Sequence, residues 1–144
     1  MNIILSIKPK YAELIYSGKK TVEWRHTYPK KFFKWCDRVY IYETSPVKRV
    51  TGYFKVNPII DPISFDREFL DQNFFYANEC KKNFEKWGQV SIDELKKYAE
   101  RSIVYGWSII KAERFVAKVH LNWFNLNRPP QSWQYLTTNK EVTK

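Results

Sequence analysis

The segment Gly18–Arg25 carries four charged side chains in seven positions, and their spacing predicts a polar face on a short strand. Glu23 and Arg25 are two residues apart and project from one face of an extended chain, whereas Val22 and Trp24 project from the other. A carboxylate between cations stays ionised, so this glutamate would position cations better than it would donate protons. The alternative is a solvated strand face with an ion pair of purely structural value.

The chemistry that this face supports is the binding of a phosphate and a base. An arginine can hold a phosphate through two hydrogen bonds, and lysines add point charges to the same cleft. Serine and glutamine supply neutral hydrogen bonds, and aromatic rings stack on bases. The candidate nucleic-acid-binding residues are Lys8, Lys20, Glu23, Arg25, Tyr42, Ser45, Lys48, Trp107, Gln131 and Ser132. Tyr42 and Trp107 fit a hydrophobic core equally well, and Lys20 and Glu23 would be the general acid/base groups if the protein is an enzyme.

Two elements must position the charged segment. The apolar run Ile3–Ile7 is typical of a buried strand, and Pro9 suits the first turn of a helix that Gly18 would end. A strand, a helix and the Thr21–Arg25 strand would then form one compact unit. This arrangement would bring Lys8 and the Lys19–Lys20 pair close together.

The remaining chain predicts a hairpin, a helical segment and a long strand. Residues 26–35 lack a regular period and read as a loop, while 38–44 and 50–56 are rich in β-forming residues around the turn at Ser45 and Pro46. Gly52 inside the second strand indicates a bulge or a close approach of another chain segment. Helices are expected at about 64–100, where Ser91 and Glu94 form a capping box. Strands are expected at 102–113 and 115–119.

The C-terminal region divides into an anchored segment and a tail. Arg128–Leu136 contains two prolines followed by polar and aromatic residues, so we expect Trp133 and Tyr135 to anchor it. Residues 137–144 are polar and are expected to be a mobile tail. A single domain is therefore predicted over 1–136.

Charge is distributed unevenly along the 144 residues, whose total is +10. Residues 1–57 carry a net +8, residues 58–100 a net −3, and residues 101–144 a net +5. A positive field on part of a small domain favours polyanions through steering and counterion release. Aromatic residues lie among the lysines, as in proteins that bind single-stranded nucleic acid.

Composition narrows the class of protein further. Apolar residues make up 44% of the chain, enough for a core, and no apolar run is long enough to span a membrane or act as a secretory signal. A soluble, cytoplasmic protein is expected. Cys36 and Cys80 are too far apart for a CxxC metal site, and two histidines give no zinc pattern. We therefore expect no metal and no cofactor.

The order of elements predicts an α+β fold, a mixed, partly closed β-barrel with flanking helices. The sequence resembles the ASCH domains of the PUA-like superfamily. The resemblance rests on Ser6–Pro9, Ile15–Arg25, Ile41–Lys48 and Gly52. Pro129–Trp133 is similar to the C-terminal signature of a bacterial and archaeal subgroup described as predicted transcriptional regulators.

This resemblance implies a PUA-like barrel of about five or six strands and a cleft beside the first helix that binds RNA or a nucleotide. Some bacterial ASCH proteins are amidohydrolases of acetylated cytidine that use a lysine, a threonine and a glutamate. Lys20 falls on that lysine, whereas Glu23 stands at the threonine. Another ASCH protein is a ribonuclease. Three functions follow as hypotheses: an RNA-binding module, an enzyme acting on RNA or a modified nucleoside, and a sensor of a small nucleotide.

Overall fold

The computed structural model describes residues 1–137, so the expected tail, apart from its first residue, lies outside the described residues. The described chain forms seven strands, four α-helices and one 3-10 turn. In order these are β1 (Ile3–Ile7), α1 (Pro9–Tyr16), β2 (Val22–Arg25), β3 (Val39–Glu43), β4 (Arg49–Val56), β5 (Ile63–Phe65), α2 (Arg67–Leu70), α3 (Phe75–Gly88), α4 (Ile92–Ala99), β6 (Val104–Val119), the 3-10 turn (Leu121–Phe124) and β7 (Trp133–Tyr135).

The seven strands form one mixed sheet with the order β2-β6-β4-β3-β1-β7, and β5 pairs with β6 beside this path. Only β1 and β3 run parallel among the described strands, because α1 and β2 lie between them in the chain; the other pairs are antiparallel. The sheet curls into a half-barrel with helices at its side. The predicted α+β mixed barrel is confirmed, with one or two strands more than the five or six expected.

Two apolar clusters lie on the two faces of the curled sheet. One fills the barrel under α1 and contains Ile3, Leu5, Ile41, Phe54 and Trp107 among its buried residues. The other packs against the opposite face around Tyr40 and Phe124. Alternate residues of β1 and β3 therefore enter different clusters, and both faces of these strands are buried. This explains why β1 reads as a continuous apolar run.

A third cluster, the helical cluster, holds α2, α3 and α4 against the edge of the sheet. Its buried members are Val22, Trp24, Phe65, Leu70, Phe84, Leu95, Ala99 and Val104. The Trp24 ring contacts Phe65 and Phe84 edge-on, with centroids 5.3 and 5.4 Å apart. The apolar face of β2 is therefore what attaches the helices to the sheet.

Three local signals in the sequence correspond to observed features: Gly18, the capping box of Ser91 and Glu94, and Gly52. Gly18 adopts φ 83 at the end of α1, and Ser91 accepts a hydrogen bond from the Glu94 amide at the start of α4. A Cβ at Gly52 would overlap the Glu113 carbonyl and the Tyr16 ring, which is the close approach that the glycine indicated.

One expectation about strands was wrong. The strands predicted at 102–113 and 115–119 are one continuous strand, β6, because residues 109–119 continue to pair with β4 past the predicted break. The helices expected at about 64–100 are present as α2, α3 and α4, and the segment begins within β5, which pairs with the start of β6. The anchored segment also contributes a short strand, β7, which pairs antiparallel with β1.

Candidate functional site

A cavity of about 410 Å³ lies where the half-barrel stays open, between β2, the end of β1, α1 and α4. The following residues line it: Ser6, Ile7, Lys8, Tyr11, Lys20, Glu23, Trp24, Arg25, Thr44, Val90, Glu94, Leu95, Tyr98 and Gln131. Cavities of a few hundred cubic ångströms are typical of small-molecule and cofactor sites. The charged segment predicted from spacing therefore forms one side of an actual cavity.

Lys20 lies at the bottom of the cavity and is buried. The left-handed conformation of Gly18 turns the chain so that the Lys20 amide donates to the Leu14 carbonyl at 3.0 Å. The ammonium group donates to the Gly88 carbonyl and lies 3.4 Å from Oε1 of Glu23. Burial lowers the pKa of Lys20, although the neighbouring carboxylate opposes this. Lys20 is therefore a buried amine with a weakened hold on its proton.

Glu23 is buried between two cations. Burial by itself would raise the pKa of this carboxyl, but Arg25 and Lys20 outweigh that effect and the pKa is lowered. Oε2 accepts from Nε and Nη2 of Arg25 at 2.9 and 2.7 Å, and Oε1 faces Lys20. Glu23 is therefore ionised at neutral pH, as its position between cations predicted.

Arg25 bridges the open seam of the half-barrel. Besides Glu23, its guanidinium donates to the Ser6 carbonyl at 2.7 Å and to Oγ of Ser132 at 3.1 Å. Ser6 belongs to β1, and Ser132 directly precedes β7. These contacts use four of the five N–H donors of an arginine. The expected bidentate contact with a phosphate would require one of these bonds to break, so Arg25 in this arrangement holds the cavity wall together.

Aromatic side chains form the walls above this charged floor. Tyr11 of α1 lies with its ring centroid 5.1 Å from Nζ of Lys20. Tyr98 of α4 is backed by His26, whose ring stacks on it at 3.8 Å with a 24° angle between planes. This stacking fixes the orientation of the Tyr98 ring, and burial raises the pKa of its phenol.

The structure brings five of the ten predicted site residues into the cavity lining and places a sixth, Ser132, in contact with Arg25. The five are Lys8, Lys20, Glu23, Arg25 and Gln131. Lys8 is exposed at the rim, where it precedes α1. The expected proximity of Lys8 and Lys20 is confirmed, since both line one cavity.

The other four predicted residues lie elsewhere. Trp107 is fully buried in the barrel cluster and Tyr42 in the cluster on the opposite face, so neither ring is accessible to a base and both are core residues. Ser45 is exposed in the β3–β4 turn, and Thr44 takes its place in the lining. Lys48 lies in a separate shallow depression beside His120. Alternation along a strand identifies residues that share a face, but does not say which face meets the core.

Sequence reasoning missed the residues that α4 contributes. Glu94, Leu95 and Tyr98 of α4 line the cavity together with Val90, which lies just before this helix, although the helical segment was expected to be structural. The only signal was the capping box at Ser91, which marks the start of α4 without showing what the helix faces.

The fold and the site together define a class of protein: a PUA-like half-barrel with a charged, aromatic-walled cavity at its seam. The ASCH domain model matches residues 5–115, which is most of the chain and includes the whole charged segment. The chain therefore belongs to the ASCH domain family. The resemblance of Pro129–Trp133 to the subgroup of predicted transcriptional regulators stays a prediction, because the domain model ends at residue 115.

Known relatives agree with this assignment. A curated protein of Zymomonas mobilis subsp. mobilis, named "ASCH domain-containing ribonuclease", is 40% identical over 57 residues, a segment that covers 40% of this chain and 37% of that protein. The crystal structure of ASCH from Zymomonas mobilis matches with a TM-score of 0.71 at 24% identity, covering 94% of this chain and 87% of that chain. A serine-to-alanine mutant of that protein gives the same TM-score, 0.71, at 23% identity, with 94% and 87% covered. These structural matches establish the fold.

Two kinds of feature are absent from the part of the chain that the structure describes. Within residues 1–137, no helix has both the length and the apolar character needed to cross a bilayer. The same residues contain no cluster of three or more histidine, cysteine or acidic side chains arranged to hold a metal ion.

Proposed function

We propose that this protein is an RNA-binding module that takes one nucleotide of a single-stranded or looped RNA into the cavity. The observation that carries the proposal is the combination, in one cavity, of a charged floor, aromatic walls and an exposed lysine, Lys8, at the rim in a member of the ASCH family. A base held against tyrosine is a common mode of recognition in proteins that read unpaired RNA.

The shape and lining of the cavity support the insertion of a base. The volume of about 410 Å³ falls in the range of small-molecule sites. Tyr98, held in place by His26, offers a ring with a fixed orientation, and Tyr11 provides a second aromatic surface. Gln131 and Thr44 offer amide and hydroxyl groups to the hydrogen-bonding edge of the base.

The charges at the rim and in the floor have separate roles in this proposal. Lys8 is exposed and contacts the phosphate as a point charge. Lys20, Glu23 and Arg25 bond mainly to one another, so they keep the cavity open and polar. The basic field of residues 1–57 then attracts the RNA backbone.

The test measures binding of a labelled ten-nucleotide single-stranded RNA by fluorescence anisotropy at several salt concentrations. We expect Tyr98→Leu to weaken binding by about fivefold or more, since stacking contributes about 1–3 kcal/mol per base. Lys8→Ala should reduce the slope of log K against log salt by about 0.7, the value for one contact with a single-stranded phosphate.

Lys97→Ala is the matched control for Lys8→Ala, because Lys97 is also exposed but does not line the cavity. Binding that is absent at low salt, or that responds equally to the two lysine variants and not to Tyr98→Leu, would contradict the proposal.

A second candidate is an enzyme that cleaves RNA. The supporting observations are the lowered pKa of Lys20 inside the cavity and the identity shared with a protein named as a ribonuclease. A lysine with a lowered pKa gives up its proton more readily and can then accept one from a hydroxyl group. Glu23, which stays ionised, would hold Lys20 in place and so act as a positioning residue.

Turnover of labelled RNA, with and without magnesium, tests this candidate. Lys20→Met should abolish cleavage, and Lys97→Ala should retain it. If the wild-type protein shows no more turnover than Lys20→Met does, a ribonuclease that uses this lysine is excluded. The same preparation incubated with acylated nucleosides tests amidohydrolase activity.

A sensor of a free nucleotide is the third hypothesis from the sequence. A thermal-shift screen with nucleoside monophosphates separates it from RNA binding, because a bound ligand raises the apparent stability by mass action. The expected cytoplasmic location and a role in transcriptional regulation stay predictions.

A further inference from the structure

A second basic and aromatic surface lies outside the cavity, on the loop that joins β2 to β3. We call it the loop platform. Its members are Lys30, Lys31, Phe32, Lys34 and Trp35 of this loop, together with Tyr135 of β7, whose ring centroid lies 5.9 Å from Nζ of Lys31. Phe32 is 87% exposed, Trp35 57% and Tyr135 41%. Exposed aromatic rings beside cations have no part in the core or in the cavity.

The loop beneath this surface is held in place at several points. Phe33 is buried and packs edge-on against Tyr28 and Trp107, with centroids 5.8 and 5.9 Å apart. The Trp35 carbonyl accepts from Nζ of Lys55 at 2.8 Å, and the Lys34 amide donates to Asp37 at 2.8 Å. The exposed rings therefore project from an ordered base, which reduces the entropy lost when a ligand stacks on them.

Among the described residues, no acidic side chain neutralises the charge of the loop platform. Within residues 1–137, no carboxylate forms a salt bridge with Lys30, Lys31 or Lys34. The nearby acid in the sequence, Asp37, is buried and bonds instead to the Met1 amino group at 2.9 Å. The three ammonium groups are available to phosphates.

The loop platform and the cavity lie towards opposite ends of β1, because Asp37 at the end of the loop bonds to the Met1 amino group whereas Ser6, Ile7 and Lys8 line the cavity. Ser132, which bonds to Arg25, directly precedes Trp133 of β7, and Nε1 of Trp133 donates to Oγ1 of Thr27 in the loop at 2.8 Å. Tyr135 lies two residues further, with its ring centroid 5.9 Å from Nζ of Lys31. β7 runs along β1 from the cavity towards the loop platform, and the five residues of β1 span about 16 Å, a distance that a few nucleotides of one strand can cover.

We infer that the loop platform binds nucleotides of the same strand a few positions away from the one in the cavity, by stacking their bases on Phe32 and Trp35 and pairing their phosphates with the lysines. This inference rests on the proposed function for its geometry, since the cavity fixes one nucleotide. The occupant is single-stranded RNA, because exposed rings offer stacking to its bases and the neighbouring lysines offer charge to its phosphates. A membrane surface is the competing occupant, since lysine and exposed aromatic residues also favour the lipid interface.

The test compares Phe32→Ala and Trp35→Ala with Phe75→Ala. Phe75 is a matched control because it is 80% exposed and lies on α3, outside both surfaces. Affinities are measured for the ten-nucleotide RNA and for cytidine monophosphate. Each platform variant should weaken binding of the RNA by about fivefold or more and leave the affinity for cytidine monophosphate unchanged, whereas Phe75→Ala should change neither.

The outcomes separate this inference from the proposed function. If Phe32→Ala and Trp35→Ala bind the RNA as tightly as Phe75→Ala does, the loop platform is overturned even when Tyr98→Leu weakens binding. If the platform variants weaken RNA binding and Tyr98→Leu has no effect, the cavity proposal fails and RNA binding by the loop platform stands. Binding to vesicles of phosphatidylserine and phosphatidylcholine that depends on Phe32, without binding to RNA, would also overturn it.

Discussion

Replacing Glu23 with glutamine removes the charge that balances two cations in the floor of the cavity. Glutamine has nearly the same shape, so the change isolates charge from packing. Oε1 of Glu23 lies 3.4 Å from Nζ of Lys20, and Oε2 lies 2.7 Å from Nη2 of Arg25. In Glu23→Gln both cations stay in the buried site without their counterion.

The expected loss of stability is about 3 kcal/mol at neutral pH, the lower end of the range for removing one partner of a buried ion pair. The lower end applies because Arg25 keeps its bonds to Ser6 and Ser132. For a domain of this size such a loss lowers Tm by about 10 °C.

The stability difference between wild type and Glu23→Gln should depend on pH. The lowered pKa of Glu23 means that its contribution to stability is present above its ordinary pKa of 4.5 and is lost as the pH falls below that value. In the variant, Lys20 loses its counterion, so its pKa falls further below the usual 10.5. Deprotonation of this lysine at alkaline pH then relieves the unpaired charge. The stability difference between wild type and variant should therefore be greatest near neutral pH and shrink in both directions.

Urea unfolding followed by tryptophan fluorescence, at a series of pH values from 3 to 10, measures this difference. Glu94→Gln is the control, since Glu94 lines the same cavity but is exposed, and its loss should cost less than about 1 kcal/mol at the start of a helix. A difference for Glu23→Gln that is below about 1 kcal/mol, or that stays constant across this pH series, would refute the account of Glu23 as the buried counterion.

Three further substitutions probe the scaffold. Gly52→Ala should lower the free energy of unfolding by about 1–3 kcal/mol, because the added Cβ would overlap the Glu113 carbonyl, and urea unfolding would show it. Leu70→Ala should cost about 2–5 kcal/mol by the same measurement, since this side chain is fully buried in the helical cluster; a cost below 1 kcal/mol would mean that the cluster is not packed as described. Trp133→Phe should lose about 1 kcal/mol with the hydrogen bond to Thr27, in addition to the cost of its lost contact with Trp107. The substitution should cost about 1 kcal/mol less in a Thr27→Val background, and an equal cost in both backgrounds would contradict the assignment.

Local signals predicted the elements that their own residues determine. Pro9 and Gly18 marked the limits of α1, and Ser91 with Glu94 marked the start of α4. The two-residue spacing of Glu23 and Arg25 placed both on the cavity side of β2. In these cases the deciding interactions join residues that are close in sequence.

Features that depend on distant contacts were not predictable in this way. The pairing of β7 with β1 joins residues about 130 positions apart, for example Ile3 with Tyr135. The role of Arg25 depends on this pairing, because Ser132 reaches the guanidinium only when β7 lies beside β1. Trp107 was offered as a stacking residue because its sequence neighbourhood does not reveal that α1 and the loop after β2 cover it.

The helical segment leaves and re-enters the sheet at one point, since Phe65 at the end of β5 pairs directly with Val104 at the start of β6. Residues 66–103 are therefore an insertion whose two ends already meet, and closing them requires no change in the register of any strand. Because α4 within this insertion forms one wall of the cavity, the choice of ligand can be altered by redesigning the insertion, while the charged floor and the sheet that carries it are kept. The cavity is thus assembled from a floor on the sheet and a wall on the insertion, and a redesigned insertion has to keep the backbone carbonyl of Gly88 to which Lys20 of the floor donates.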